Sequence, residues 1–260
     1  LLDGFERGLT QKECDAFFSL LREKLVPLIH KIKDRKLPFD ESFAKKIYPT
    51  AGQKEYQEYL RGVIGFDPKY TVTKESEHPF TNDCGPTDVR ITNHFYEDNF
   101  ISSIYSAIHE MGHGLYELQV SRELDDTMSG GGVSMAMHES QSRFLENMIG
   151  RSRAFWDTHF ARLAGIFKEQ LAGVTARDMW LLSNKVEPSL VRTEADELTY
   201  SLHIMVRYEM EKALMSGEIE AKDIPERWNA LYKEYLGVDV PSDTEGCLQD
   251  VHWAYGEFGY

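Results

Sequence analysis

The stretch Ile108-His109-Glu110-Met111-Gly112-His113-Gly114 decides how this 260-residue chain is read. It contains His-Glu-x-x-His. On a helix, residues four apart lie one above the other, so His109 and His113 can offer two imidazoles to one metal ion. Imidazole nitrogen binds zinc at about 2.0–2.1 Å. Glu110 follows the first histidine and projects beside the pair, where it can take a proton from a water activated by the ion. These are the chemical parts of a metallopeptidase.

The surrounding residues predict the helix that the motif needs. Glu97-Asp98-Asn99 provides a cap and negative charge, and Ile101, Ile104, Tyr105, Ile108, Gly112 and Leu115 follow at spacings of three and four. A bare motif of this length also occurs by chance, and two helical histidines can be ordinary polar residues, so a third ligand is required. Glu139, 26 residues after His113, stands on a second helix that Ser134 caps and that runs to about Met148. It would complete a two-His, one-Glu zinc site with an open fourth position. Periodicity leaves this open, because Glu139 shares its face with Ser142, Arg143 and Glu146, and glutamates are usually solvated. His138 is a competing ligand.

The net charge of −14 argues against a nucleic-acid surface, and the 42% hydrophobic content is enough for a substantial core. Cys14, Cys84 and Cys247 form neither a disulfide framework nor a cysteine metal site, which fits a reducing, cytoplasmic compartment. No run of 18 apolar residues suggests a membrane span. Leu1-Leu2-Asp3-Gly4 resembles neither an initiator start nor a signal peptide, so the chain is expected to belong to something longer.

Helices are predicted from Thr10 to about Lys36, with Thr10 and Glu13 as a capping box and Pro27 kinking or splitting it, and from Gln53 to Val63. Further helices are predicted over Phe155–Leu171, over Thr175–Asn184, after Thr193 and Asp196 as far as Gly217, and from Pro225 to Gly237. Residues 70–73 and 87–92 read as two short strands of a hairpin. Alternation puts Asp88, Arg90, Thr92 and His94 on one face and Val89 and Ile91 on the other. The polar face is either solvated or a wall of the cleft. The expectation is a mainly α, cleft-forming fold with a small antiparallel hairpin or sheet beside the site. Gly130-Gly131-Gly132 reads as a connector that permits a close backbone approach, and Arg192 as a surface arginine paired with Glu187 or Glu194 or as a carboxylate-binding fork.

Five stretches in order resemble the thermostable carboxypeptidase family named after carboxypeptidase Taq. They are Asp88-Val89-Arg90-Ile91-Thr92, His109-Glu110-Met111-Gly112-His113, His138-Glu139-Ser140-Gln141, Val191-Arg192-Thr193-Glu194-Ala195-Asp196 and Gly246-Cys247-Leu248-Gln249-Asp250-Val251-His252-Trp253. They match the patterns DxRxT, HExxH, HES/GQ, (I/V)RxxAD and GxxQDxHW. The resemblance implies that residues 1–260 form the catalytic core of a longer metallocarboxypeptidase, which acts on peptides with a free C-terminal carboxylate. It implies zinc or cobalt as the metal and a cytosolic homodimer; the charge and the lack of a long apolar run add the expectation of no nucleic-acid or membrane partner. By the same resemblance His109, His113 and Glu139 are the metal ligands and Glu110 is the general acid/base. Arg192 and His252 belong to the substrate site, and Asp88, Arg90 and Thr92 limit how far a peptide extends. The rivals are an oligopeptidase or dipeptidase with the same chemistry, and an inactive zinc-binding core that serves as an interaction module.

Overall fold

The computed structural model describes residues 2–33, 35, 38–125 and 127–250. In chain order the helices are α1 (Gln11–Ile32), α2 (Thr50–Ile64), α3 (Phe100–Leu118), α4 (Met135–Arg143), α5 (Arg153–Ile166), α6 (Ala176–Ser183), α7 (Glu197–Met215) and α8 (Ile224–Tyr235). The strands are β1 (Thr71–Glu75), β2 (Thr81–Asp83) and β3 (Val89–Asn93). Backbone contacts divide the chain into a terminal unit, Leu1–Leu37 with Asn184–Tyr260, and a central unit, Pro38–Ser183. The mainly helical class expected from the sequence is the class observed.

In the terminal unit α1 starts at the expected capping box, with Thr10 and Glu13 each accepting the other's backbone N–H. Pro27 does not split the helix, which runs through it to Ile32. Leu25, Val26 and the fully buried Ile29 pack into the cluster formed by α7 and α8, and that burial outweighs the one hydrogen bond proline removes. Arg22 ties the three helices together through Glu209 at 2.7 Å and the Tyr235 hydroxyl at 2.9 Å.

The central unit is organised around α3, which is buried on two sides. Ile104, Tyr105 and Ile108 join Trp156, Phe155 and Leu163 of α5 in one cluster, while Ala107 and Met111 pack on Val89 and Ile91 of β3. Burying a side chain such as Ile108 or Met111 contributes about 1.5–3 kcal/mol, so the helix that carries both histidines is anchored from both faces. Asn99 caps it by accepting from the Ser102 N–H, as expected from the sequence. Glu97 instead accepts from the Thr50 N–H at the start of α2.

The sheet has the order β1-β3-β2. The expected hairpin between residues 70–73 and 87–92 is corrected here, because β1 and β3 run parallel, from Thr71 opposite Val89 to Glu75 opposite Asn93. The antiparallel partner of β3 is β2, with Thr81 opposite Ile91 and Asp83 opposite Val89. Residues 76–80 cross the end of β3, and Thr92 fastens that crossover. Its Oγ1 lies 2.6 Å from Ser76 Oγ and accepts the Phe80 N–H at 3.0 Å. Alternation places Val89 and Ile91 in the core as expected, but Thr92 is buried beneath the crossover while Arg90 stays exposed.

Candidate metal centre

Helices α3 and α4 cross at Gly112. A Cβ at that position would lie 2.6 Å from Cα of Ser142 and 3.1 Å from the carbonyl oxygen of Gln141, so only glycine lets α4 come this near. The crossing brings Glu139, one turn before Ser142, to the histidine face of α3. Glu139 Oε2 is 3.6 Å from His109 Nε2 and 3.4 Å from His113 Nε2. The three ligand atoms lie within 4.8 Å of one another. Donors held tetrahedrally around an ion at about 2.0–2.1 Å stand roughly 3.3 Å apart, so these residues fit one divalent ion. Two imidazoles and a carboxylate are also the donor count of a catalytic zinc site.

The charges at the centre are compensated by neighbours. Burial disfavours the ionised Glu139, but the His113 hydrogen bond and the charges of His109 and Arg143 outweigh it and hold the carboxyl down at about 2. Burial likewise opposes protonation of His109, yet the hydrogen bond to Glu146 and the nearby Glu139 and Glu110 carboxylates raise its pKa above the ordinary imidazole value. Glu146 is itself held down at about 2, because His109, Arg143 and Arg151 outweigh its burial.

Behind the three candidate ligands stands a second set of contacts. His109 Nδ1 is 3.0 Å from Glu146 Oε2, and His113 Nδ1 is 2.7 Å from His138 Nδ1. The far nitrogen of His138, Nε2, lies 2.5 Å from Glu117 Oε1. The same carboxylate oxygen accepts the Gly132 N–H at 3.1 Å. Glu146 belongs to a π-helical turn, Phe144–Gly150, that continues α4, where Arg143 Nη1 reaches it at 3.2 Å and Arg151 Nη2 at 2.8 Å. The continuous helix expected from Ser134 to Met148 therefore changes winding at Phe144. His138, the competing ligand of the sequence reading, lies behind His113 with both ring nitrogens engaged and is outside the ligand group.

Glu110 is buried, and Thr81 Oγ1 stands 2.5 Å from its Oε2 and 3.1 Å from its backbone oxygen. Sequence reading missed Thr81. It belongs to the three-residue polar strand Thr81-Asn82-Asp83, which carries no strand pattern, so no sequence signal could have found it.

The remaining expected residues fall in several places. Asp88 and Arg90 pair with each other on the exposed face at the sheet's central strand, at 2.9 and 2.6 Å, and these hydrogen bonds hold the Asp88 carboxyl below its usual range. Thr92 is committed to the crossover. Arg192 lies in a 3₁₀ turn of the terminal unit, Arg192–Glu194, and the carboxylate of Glu187 pairs with Lys185 at 2.5 Å. Asp250 pairs with Arg207 of α7. His252 lies outside the described residues.

The helical scaffold and the His-Glu-x-x-His helix define the class: a mainly helical protein built about a candidate metal centre. The chain belongs to the carboxypeptidase Taq (M32) metallopeptidase family, whose sequence profile matches residues 1–260. Carboxypeptidase 1 of Bacillus subtilis is 41% identical over 260 residues, covering all of this chain and 52% of that protein. Thermostable carboxypeptidase 1 of Thermus thermophilus is 43% identical, covering all of this chain and 51% of its own length. The crystal structure of an M32 carboxypeptidase from Deinococcus radiodurans superposes with a TM-score of 0.93 at 39% identity, covering 97% of this chain and 51% of that one. The chain thus spans about half the length of the curated relatives it matches. The family read from the five motifs is the family found.

Proposed function

We propose that this chain carries the catalytic centre of a metallocarboxypeptidase that hydrolyses the C-terminal peptide bond of peptides. The observation that carries the reading is the convergence of His109 Nε2, His113 Nε2 and Glu139 Oε2, with Glu110 adjacent on the same helix. His109, His113 and Glu139 would hold a divalent ion, whose Lewis acidity would lower the pKa of a water molecule and polarise the scissile carbonyl. Glu110 accepts the proton of the attacking water and returns it to the leaving amine. The Thr81 hydroxyl occupies Oε2 of Glu110 and leaves Oε1 as the acceptor. Zinc suits the donor set best, with cobalt as the alternative.

Removal of single C-terminal residues needs a cation for the free carboxylate. Arg192 is assigned that role from the family motif. A charge-assisted pair of this kind contributes about 1.5–3 kcal/mol. His252 and the Asp88, Arg90 and Thr92 strand are assigned to the substrate on the same resemblance, the strand as a limit on peptide length. The resemblance also carries a cytoplasmic homodimer, which sedimentation of the purified protein tests. No helix among the described residues is long and apolar enough to cross a membrane.

The test is amino-acid release from a short peptide offered with a free or an amidated C-terminus, with and without a chelator. Sequential release from the free peptide alone, lost with chelator and restored by zinc or cobalt, is the expected result. Internal cleavage, or equal cleavage of the amidated peptide, would replace the carboxypeptidase with an oligopeptidase. Bound metal without hydrolysis would replace it with an interaction module.

A further inference from the structure

His113 and His109 can serve as ligands through Nε2 only if that nitrogen carries a lone pair, so in each neutral ring the proton must be on Nδ1. The contacts behind the two rings enforce this placement. His113 Nδ1–H needs an acceptor, and the atom 2.7 Å away is Nδ1 of His138. If that nitrogen accepts, the proton of His138 is on Nε2, where it donates to Glu117 Oε1 at 2.5 Å. The same oxygen accepts the Gly132 N–H, which makes Glu117 the acceptor at this end and fixes the direction of the whole series. Glu117 is buried, with 4% of its surface exposed. A Cβ at Gly132 would come within 2.6 Å of the His138 ring, so glycine is what lets this loop close on the pair. On the other ligand the shorter route is used, since His109 Nδ1 faces Glu146 directly.

We propose that Glu117 and His138 are positioning residues that preset His113 in its Nδ1–H tautomer, as Glu146 does for His109, so that both Nε2 lone pairs are aimed at the ligand cluster before any ion binds. The inference rests on the reading of His109, His113 and Glu139 as ligands. It makes the two imidazoles unequal. His109 is backed by a carboxylate and is the more basic donor, while His113 is backed by a neutral ring, with the Glu117 charge one residue further out. It also explains why a histidine adjacent in sequence to Glu139 stays out of the ligand set: both of its nitrogens are used.

The test uses the metal-free chain labelled with nitrogen-15 in histidine, at mildly alkaline pH where imidazoles are neutral. Long-range proton–nitrogen spectra should show His109 and His113 as Nδ1–H and His138 as Nε2–H. A metal-free His113 in the Nε2–H form would overturn the proposal without any variant having to fold. In competition with a chromophoric chelator, His138→Phe should weaken zinc binding by about 10–100-fold, the usual effect of removing a group that orients a ligand. Glu117→Gln, which keeps the shape and an acceptor, should lose less, and Met137→Ala on the exposed side of α4 should bind as wild type does. An affinity of His138→Phe equal to wild type would also overturn it. If the wild-type chain takes up no zinc, the metal-centre reading itself fails, whereas normal wild-type binding with unaffected variants defeats the tautomer relay alone.

Discussion

One oxygen of the Glu110 carboxylate is held by the hydroxyl of Thr81, a residue 29 positions earlier in the chain. Replacing Glu110 by Gln should leave zinc bound and reduce turnover by roughly 10²–10⁴-fold, the usual contribution of a general base; metal content and kcat measured on one preparation check both halves. Thr81→Val should lower kcat roughly tenfold with little change in KM, about the rate equivalent of one charge-assisted hydrogen bond, and Thr81→Ser should restore it. A valine variant with wild-type kcat would remove Thr81 from the account. His109, Glu110 and His113 were legible in the sequence because helical spacing alone juxtaposes them. Glu139 was legible as a candidate from its place on the helix after the motif, though its own helix face offered no distinction from a solvated glutamate and the family motif added the rest. Thr81 was not legible, because a tertiary approach that no local period encodes brings it to Glu110; Glu117, one turn after His113, and Glu146, on the face of Glu139, had the right period, but their partners His138 and His109 lie on other helices.

Between elements, the decisive contact is the crossing of α3 and α4 at Gly112. Gly112→Ala should push Ser142 and Gln141 away, cost about 1–3 kcal/mol of stability as overpacking does, and weaken zinc binding by displacing Glu139. Gly165 of α5 is the control, since a Cβ there meets no atom within 4 Å and the alanine variant should lose neither stability nor affinity. Chelator competition and thermal unfolding of the two variants separate these outcomes. Caps and apolar stripes in the sequence located the eight α-helices among the described residues to within a few residues at most ends, with α5 ending at Ile166 rather than Leu171. The sheet was harder for a physical reason. Two β-rich stretches invite a hairpin, but their pairing here is parallel, with a polar strand inserted as the antiparallel partner and Thr92 fastening the crossover.

At the scale of the whole chain, stability should depend on pH through a group far in sequence from the ligands. His203 of α7 is buried beside Tyr232, and burial together with the charge of Arg192 pushes its pKa down to about 4. The unfolded chain, with an ordinary imidazole near 6.5, binds more protons between those values, so stability is fully present above about pH 6.5 and falls as the pH drops towards 4. Between pH 7 and 4.5 this one group should account for roughly 2–3 kcal/mol, and His203→Gln should flatten that part of the urea-unfolding profile. An unchanged slope in the variant would contradict it. The family was legible from five motifs spread over the chain, while the division into two compact units was not, because residues 1–37 and 184–260 meet only in the folded molecule. The central claim is that His109, His113 and Glu139 are the protein donors to one divalent ion, and X-ray absorption at the zinc edge of the loaded protein tests it most directly. Two imidazole nitrogens with only oxygen donors beside them is the result the account predicts; a third imidazole, or any sulfur, in the coordination sphere would contradict it.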